Sequence, residues 1–303
     1  MKSVRAGGPL FIVTGKAGQL GNRLFFSSYV MSLAAKLGGR VANPSFIDHA
    51  AAFTGTCGDF LCRWPARTSV FRARWLGKIT GFVMNLALRI ANRLRIANRL
   101  RLPFPGVKIL GLHEDRTADY RLDNEAFLAS IRAARVVFIG GWLELRHVRF
   151  EQPDAIRAHF TPIARHRAAV SELISRTRAT CDVLIGVHIR QGDYATFLGG
   201  RYFFSTEVYV RAMHAAVALF PGRRVGFLIC SNTPQHISDP ALPCIARGTG
   251  NAIEDLYSLA ECDWLIGPPS TFSLWASFYG KKPLWEMHDA SSVPELSEFL
   301  IRF

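Results

Sequence analysis

Residues 188–193, His-Ile-Arg-Gln-Gly-Asp, place an imidazole, a guanidinium and a carboxylate at the end of the apolar run "CDVLIGVHI" (181–189). Side chains alternate faces along a strand. Val183, Ile185, Val187 and Ile189 therefore share one face, and Leu184, Gly186, His188 and Arg190 share the other. The run begins apolar on both faces, as a central parallel strand does. It turns polar on one face only, at its carboxyl end, where ligands bind in open α/β sheets. His188 and Arg190 are thus expected to project side by side into a ligand cleft. The planar fork of Arg190 matches phosphate oxygens and suits a pyrophosphate clamp. Gly192 lets the chain turn close to a ligand. Asp193 either caps the loop or holds Arg190, and a structural ion pair at a strand end would read the same way.

Two further stretches have residues suited to anions. "KAGQLGNRLF" (16–25) is a glycine-rich turn between a strand and a helix, where backbone N–H groups face an anion at a helix N-terminus. It has neither the Gly-Lys-Ser/Thr of a P-loop nor Gly-x-Gly-x-x-Gly. In "EDLYSLAECDWLIGPPSTFSLWASFYG" (254–280), Ser270, Thr271 and Ser273 lie between a strand end and a helix start. Helix capping accounts for one of these hydroxyls, not three. The six cysteines, at 57, 62, 181, 230, 244 and 262, form no Cys-x-x-Cys pair. They read as buried reduced thiols of a reducing compartment. No metal site and no Asp-x-Asp is found.

These residues need a scaffold of alternating strands and helices. "STEVYVRAMHAAVALF" (205–220) puts Tyr209, Ala212, Met213, Ala216, Leu219 and Phe220 on one helical face. "RVGFLIC" is a strand, and "AIEDLYSLAEC" a helix with Asn251 and Glu254 in capping-box spacing. "DWLIG" is a strand, "TFSLWASFYG" a helix and "KPLWEM" a strand. "VPELSEFLIRF" is expected to close as a helix with Pro294 in its first turn. In the first half, "PLFIVTG" and "RVVFIGGW" are strands and "QLGNRLFFSSYVMSLAAKLG" is a helix. The pattern predicts parallel sheets, in two α/β domains facing a cleft. Their boundary falls in the polar helical stretch 160–180, giving domains 1–165 and 166–303.

The chain of 303 residues is 49% hydrophobic and 20% charged, enough for a sizeable core. Its net charge of +14 attracts phosphates on nucleotides, lipid or nucleic acid, unless it is only a solvated surface. No base-reading module accompanies the charge, so nucleic acid is not an expected partner. The repeat "RIANRL" (89–94 and 95–100) crowds arginines along an apolar helix through Arg101. Such a helix suits a core helix with a basic outer face or an anionic membrane surface. Residues 1–8 do not form a secretory signal, and "ITGFVMNLALRIA" (79–91) is too short to span a bilayer. The expected location is cytoplasmic, with peripheral contact to the inner membrane face through 89–101.

Together these stretches resemble the bacterial α1,2-fucosyltransferases, glycosyltransferase family 11. "GQLGNRLFFSSYVMSLA" is similar to that family's Gly-x-Leu-Gly-Asn-Gln-x-Phe segment. "VHIRQGDY" resembles His-x-Arg-Arg-Gly-Asp-Tyr, and "DLYSLAECDWLIGPPSTFSLWASFYG" the Asp-Leu-x-x-Met-x-x-Cys segment ending in Asn-Ser-x-Phe-Ser-Trp-Trp-Ala. "GGWLELRHVRFEQPDAIRAHFTP" is similar to the segment before the family's linker. The likeness covers most of the chain outside 54–105. It implies a GT-B-like fold of two Rossmann-like domains, with the acceptor on the amino-terminal side and the donor on the carboxyl-terminal side. It implies inverting, metal-independent transfer of L-fucose from GDP-fucose to a glycan hydroxyl, galactose O2, in surface-polysaccharide synthesis, with no cofactor. Arg190 then contacts the β-phosphate, His188 lines the nucleotide site, and Asp255 falls where a carboxylate reads guanine. Ser273 and Thr271 meet phosphate, Ser270 is a further substrate-binding residue, and Gly18, Gly21 and Asn22 form the opposing loop. Gln191 stands where a second Arg is usual, Arg23 where Gln is, and Leu274 where one Trp is. These departures bear on the sugar and linkage more than on the nucleotide-sugar chemistry. The base that deprotonates the acceptor is left open among Asp193, Glu144 and Glu207. Two other readings stand beside this one: the same fold with another nucleotide-sugar donor, and a non-catalytic, membrane-associated glycan-binding protein.

Overall fold

The structure is a computed structural model. It describes residues 7–15, 18–66, 106–112, 120–141, 149–242 and 244–302, with Ile79 and Leu86. Arg89 to Arg101, Glu144 and the Lys16-Ala17 part of the glycine-rich turn lie outside the described residues. The chain divides into two compact units, Met1–Ile163 with Phe303, and Ala164–Arg302.

The first unit holds a parallel sheet of β1 (Leu10–Thr14), β2 (Arg40–Ala42), β3 (Val107–Gly111) and β4 (Val136–Gly140), in the order β2-β1-β4-β3. Helix α1 (Leu20–Lys36) follows β1 and is buried from Leu24 to Ala34 on every side. Its interior serines survive burial because each hydroxyl donates to a carbonyl one turn back. Ser27 Oγ reaches Arg23 O at 2.6 Å, Ser28 Oγ reaches Leu24 O at 2.8 Å, and Ser32 Oγ reaches Ser28 O at 2.8 Å. Helix α2 (Glu125–Arg132) precedes β4, and α3 (Pro153–His159) comes near the end of the unit.

The second unit opens with α4 (Ala164–Arg178) and carries a six-stranded sheet. Its strands are β5 (Val183–Ile189), β6 (Val225–Ser231), β7 (Ile245–Arg247), β8 (Trp264–Gly267), β9 (Pro283–Glu286) and β10 (Leu300–Ile301), in the order β10-β9-β8-β5-β6-β7. All pairings are parallel except β9–β10. From β5 the chain winds outward one way through β6 and β7. It then returns to the other side of β5 as β8 and β9. The carboxyl ends of β5 and β8 therefore flank the topological switch point, the place where such sheets leave a ligand crevice.

The two faces of β5 divide as the alternation requires. Val183, Ile185, Val187 and Ile189 pack with Tyr209, Ala212, Met213 and Ala216 of α5 (Thr206–Ala218). On the other face Gly186 leaves space for α6 (Ala252–Ala260): a Cβ there would come 2.7 Å from Leu259 Cδ2 and 2.9 Å from Leu265 Cδ2. Helix α7 (Thr271–Gly280) lies against α6 so closely that a Cβ on Gly280 would stand 2.0 Å from the Ala260 carbonyl oxygen.

Two local expectations are corrected. The closing stretch is not a helix: a short 3-10 turn at Leu296–Glu298 leads into β10, which pairs antiparallel with β9. Phe299 is buried edge-on against Trp264 at 5.1 Å, and Trp285 Nε1 donates to Glu298 Oε2 at 2.9 Å. These contacts at the sheet edge outweigh helical periodicity. At α6, Asn251 caps as expected, accepting from Ile253 N and Glu254 N. The reciprocal half of the capping box is missing, because Asn251 N–H donates to Thr249 Oγ1 and Glu254 pairs with His166 Nδ1 at 2.9 Å.

Candidate functional site

Arg190 is the first residue past β5, and contacts with Asp193 and Tyr194 fix its guanidinium. One terminal nitrogen donates to Asp193 Oδ2 at 2.7 Å. The group lies over the Tyr194 ring, 5.5 Å from its centre. Tyr194 in turn donates through its hydroxyl to Pro269 O at 3.2 Å, in the loop after β8. The arginine is thus held across the switch point, by the loop after β5 and the loop after β8 together. Its side chain keeps 14% exposure, enough to meet a ligand. Burial raises the Tyr194 phenol above its ordinary range, so it stays neutral.

His188 does not stand beside Arg190 at the surface, as the alternation alone suggests. It is 4% exposed, stacked on Phe272 at 4.7 Å, with Nδ1 and Ser273 Oγ 2.8 Å apart. Burial, and then the charge of Arg190, push its pKa down to about 3. The imidazole is therefore neutral and ties β5 to the first turn of α7. Gly267 makes this possible, since a Cβ there would lie 2.5 Å from Ser273 Oγ and 3.3 Å from His188 Cβ. Ser273, 2% exposed, is committed to His188. Ser270 is the cap of α7, accepting from Phe272 N at 3.2 Å. Thr271, half-buried, starts the helix at the positive end of its dipole. Ser270 and Ser273 thus serve the helix start and His188, and Thr271 is the first residue of α7.

Asp255 is 6% exposed, and burial raises its carboxyl above the usual carboxylate range. Its Oδ1 accepts from Gly250 N at 3.2 Å. Gly248 has no room for a side chain, because a Cβ would come 2.3 Å from the same oxygen. Asp255 therefore shapes the loop between β7 and α6, at the carboxyl end of the sheet.

In the first unit, Gly18 turns the chain at φ +58°, and a Cβ on it would sit 2.4 Å from Asn22 Nδ2. Arg23 Nε donates to Gly18 O at 3.0 Å, and Arg23 also pairs with Asp48 at 3.2 Å. Gly18, Asn22 and Arg23 form one locked turn at the start of α1, with Gly21 buried beneath it. A small cavity of about 10 Å³, room for about one water, is lined by Asn43, Trp64, His159 and Phe160 in this unit.

Sequence reasoning missed a polar lattice beside Arg190. Gln191 Nε2 donates to Phe204 O at 3.0 Å. Its Oε1 accepts from Thr233 Oγ1 at 3.1 Å and Gln235 Nε2 at 2.8 Å. Gln191 N–H donates to Asn232 Oδ1 at 3.0 Å. The signal was present: "SNTPQ" (231–235) is a polar run at the carboxyl end of the strand next to β5. The remaining candidate base in view, Glu207, begins α5 and has its carboxylate lowered first by the Ser205 hydroxyl. Among the described residues no group of three or more His, Cys, Asp or Glu is placed to hold a metal ion.

Residues 113–283 match the family described as glycosyl transferase family 11. No curated protein matches the chain. Among solved structures, a mutant of Arabidopsis thaliana FUT1 in complex with GDP superposes with TM-score 0.60 at 13% identity, covering 97% of this chain and 73% of that one. NodZ alpha-1,6-fucosyltransferase soaked with GDP-fucose gives TM-score 0.53 at 18% identity, covering 96% of this chain and 97% of that one. The fucosyltransferase NodZ from Bradyrhizobium gives 0.54 at 17% identity, covering 96% of each. At such identities the likeness is one of fold, α/β with parallel sheets.

Proposed function

The chain belongs to glycosyl transferase family 11, and from that premise we propose that it transfers L-fucose from GDP-fucose to a glycan hydroxyl, galactose O2 first among acceptors. The observation that supports this is the fixed, part-exposed Arg190 at the switch point, next to the amino-terminal end of α7. The structures of similar fold that hold GDP or GDP-fucose support the same donor.

In the proposed step, the acceptor oxygen bonds to the anomeric carbon as the bond from that carbon to the β-phosphate oxygen breaks. The configuration inverts, and the acceptor proton passes to a base. Negative charge grows on the departing diphosphate. Arg190, held by Asp193, and the amino-terminal end of α7 would stabilise that charge with little reorganisation. Asp193 takes the second of the roles its spacing left open: it holds Arg190. Asp255 is assigned to guanine and Thr271 to phosphate. His188, Ser270 and Ser273 are positioning residues of this site. Gly18, Gly21 and Asn22, at the start of α1, are assigned to substrate binding.

Gln191, neutral and tied into its lattice, favours a second reading in which the donor sugar differs. A donor panel separates the two. GDP-fucose, GDP-mannose and a UDP-sugar are each offered with a galactose-terminated acceptor, and the product anomer is read by NMR. An α-fucoside formed from the β-linked donor supports the proposal. Turnover with another donor alone supports the second reading, and none with any donor supports the non-catalytic one.

A further inference from the structure

We infer that Asn232 is a positioning residue for the Arg190 clamp, holding the 190–193 turn from the neighbouring strand. The inference rests on the donor-site reading above. Asn232 follows β6 and is exposed, so it is not part of the core. Yet its carboxamide reaches both sides of the turn. Its Oδ1 accepts from Gln191 N–H at 3.0 Å, immediately after the arginine. Its Nδ2 makes a longer contact, 3.5 Å, with Asp193 Oδ1, while the other oxygen of Asp193 holds Arg190.

Gly192 lies between these two anchors at φ +30°, and a Cβ on it would come 2.5 Å from Asn232 Nδ2. The amide fills the space that a side chain at 192 would need. Thr233 and Gln235, from the same segment, hold the Gln191 side chain. The turn carrying the clamp is therefore fastened to residues 232–235 by main chain and side chain alike. A carboxamide presents one acceptor and one donor in a fixed plane. At this position it orients the main chain after Arg190 and the carboxylate that restrains the guanidinium, without touching the ligand itself.

The test is the ratio of GDP to GMP affinity, measured by calorimetry in the wild type and in Asn232→Ala, with melting temperatures alongside. GMP lacks the β-phosphate assigned to Arg190. A misplaced guanidinium weakens GDP by about tenfold, the effect of one hydrogen bond, and leaves GMP unchanged. The expected result is a ratio about tenfold lower in Asn232→Ala, with an unchanged melting temperature. An unchanged ratio, whether both nucleotides weaken equally or neither does, would overturn the inference and leave the donor reading standing. Absence of GDP binding to the wild type would overturn the donor reading and this inference with it.

Discussion

Asp193 and Arg190 are three positions apart, and their ion pair at 2.7 Å sets the limit on what either can do. One carboxylate oxygen of Asp193 is committed to accepting from the Arg190 guanidinium. Asp193→Asn is therefore expected to act on donor binding: GDP affinity falls a few-fold, the effect of a part-exposed ion pair worth ~0.2–1 kcal/mol. Calorimetry checks the affinity and steady-state kinetics the turnover. A large loss confined to kcat, with GDP affinity intact, would return Asp193 to the role of base. The pairing was legible from spacing and residue type. The burial of His188 was not, because alternation gives the face of a strand and not what covers it. The first turn of α7 covers it, about 85 residues later in the chain.

At the scale of elements, helices and parallel strands were readable from periodicity, and close approaches were not. Gly280 reads in sequence as a helix C-terminus, yet its structural task is to let α6 and α7 meet. A methyl group 2.0 Å from the Ala260 carbonyl must force the helices apart, because neither atom is on a flexible side chain. Gly280→Ala should cost about 3 kcal/mol or more and lower the melting temperature by roughly 10 °C. An unchanged melting curve would show that the contact is not needed. The final strand was misread for a related reason. "ELSEFLIRF" carries a helix-like spacing of apolar residues, but Phe299 and Glu298 find their partners on Trp264 and Trp285. Edge pairing is a tertiary fact that a local window cannot contain. Gln191 shows the converse: its departure from the family pattern was visible, and its lattice was not.

For the whole molecule, two of the buried histidines among the described residues contribute to the response to acid. His188, in the second unit, titrates at about 3 and His159, in the first, at about 4, both lowered chiefly by burial. The unfolded chain takes up these protons near pH 6.5, before the folded chain does. Their contribution to stability is therefore present above pH 6.5 and is lost as the pH falls toward about 4 for His159 and about 3 for His188. At pH 5 each histidine contributes a loss of about 2 kcal/mol. Melting temperatures should hold between pH 7 and 8 and fall below 6, and His188→Gln should flatten that fall; an equal slope in the variant would contradict the assignment. Among the described residues no helix is long and apolar enough to cross a membrane. The charge of +14 nevertheless predicts adsorption to anionic vesicles, and high salt or deletion of residues 89–100 should release the protein. Binding unchanged by both would exclude the basic repeat as the contact. The central claim is that Arg190 marks the place of a guanosine diphosphate, and calorimetric titration of GDP, with UDP as control, into wild type and Arg190→Ala tests it most directly. Tight binding of GDP over UDP, lost in the variant, is the expected result. GDP binding indifferent to Arg190, or no GDP binding at all, would contradict it.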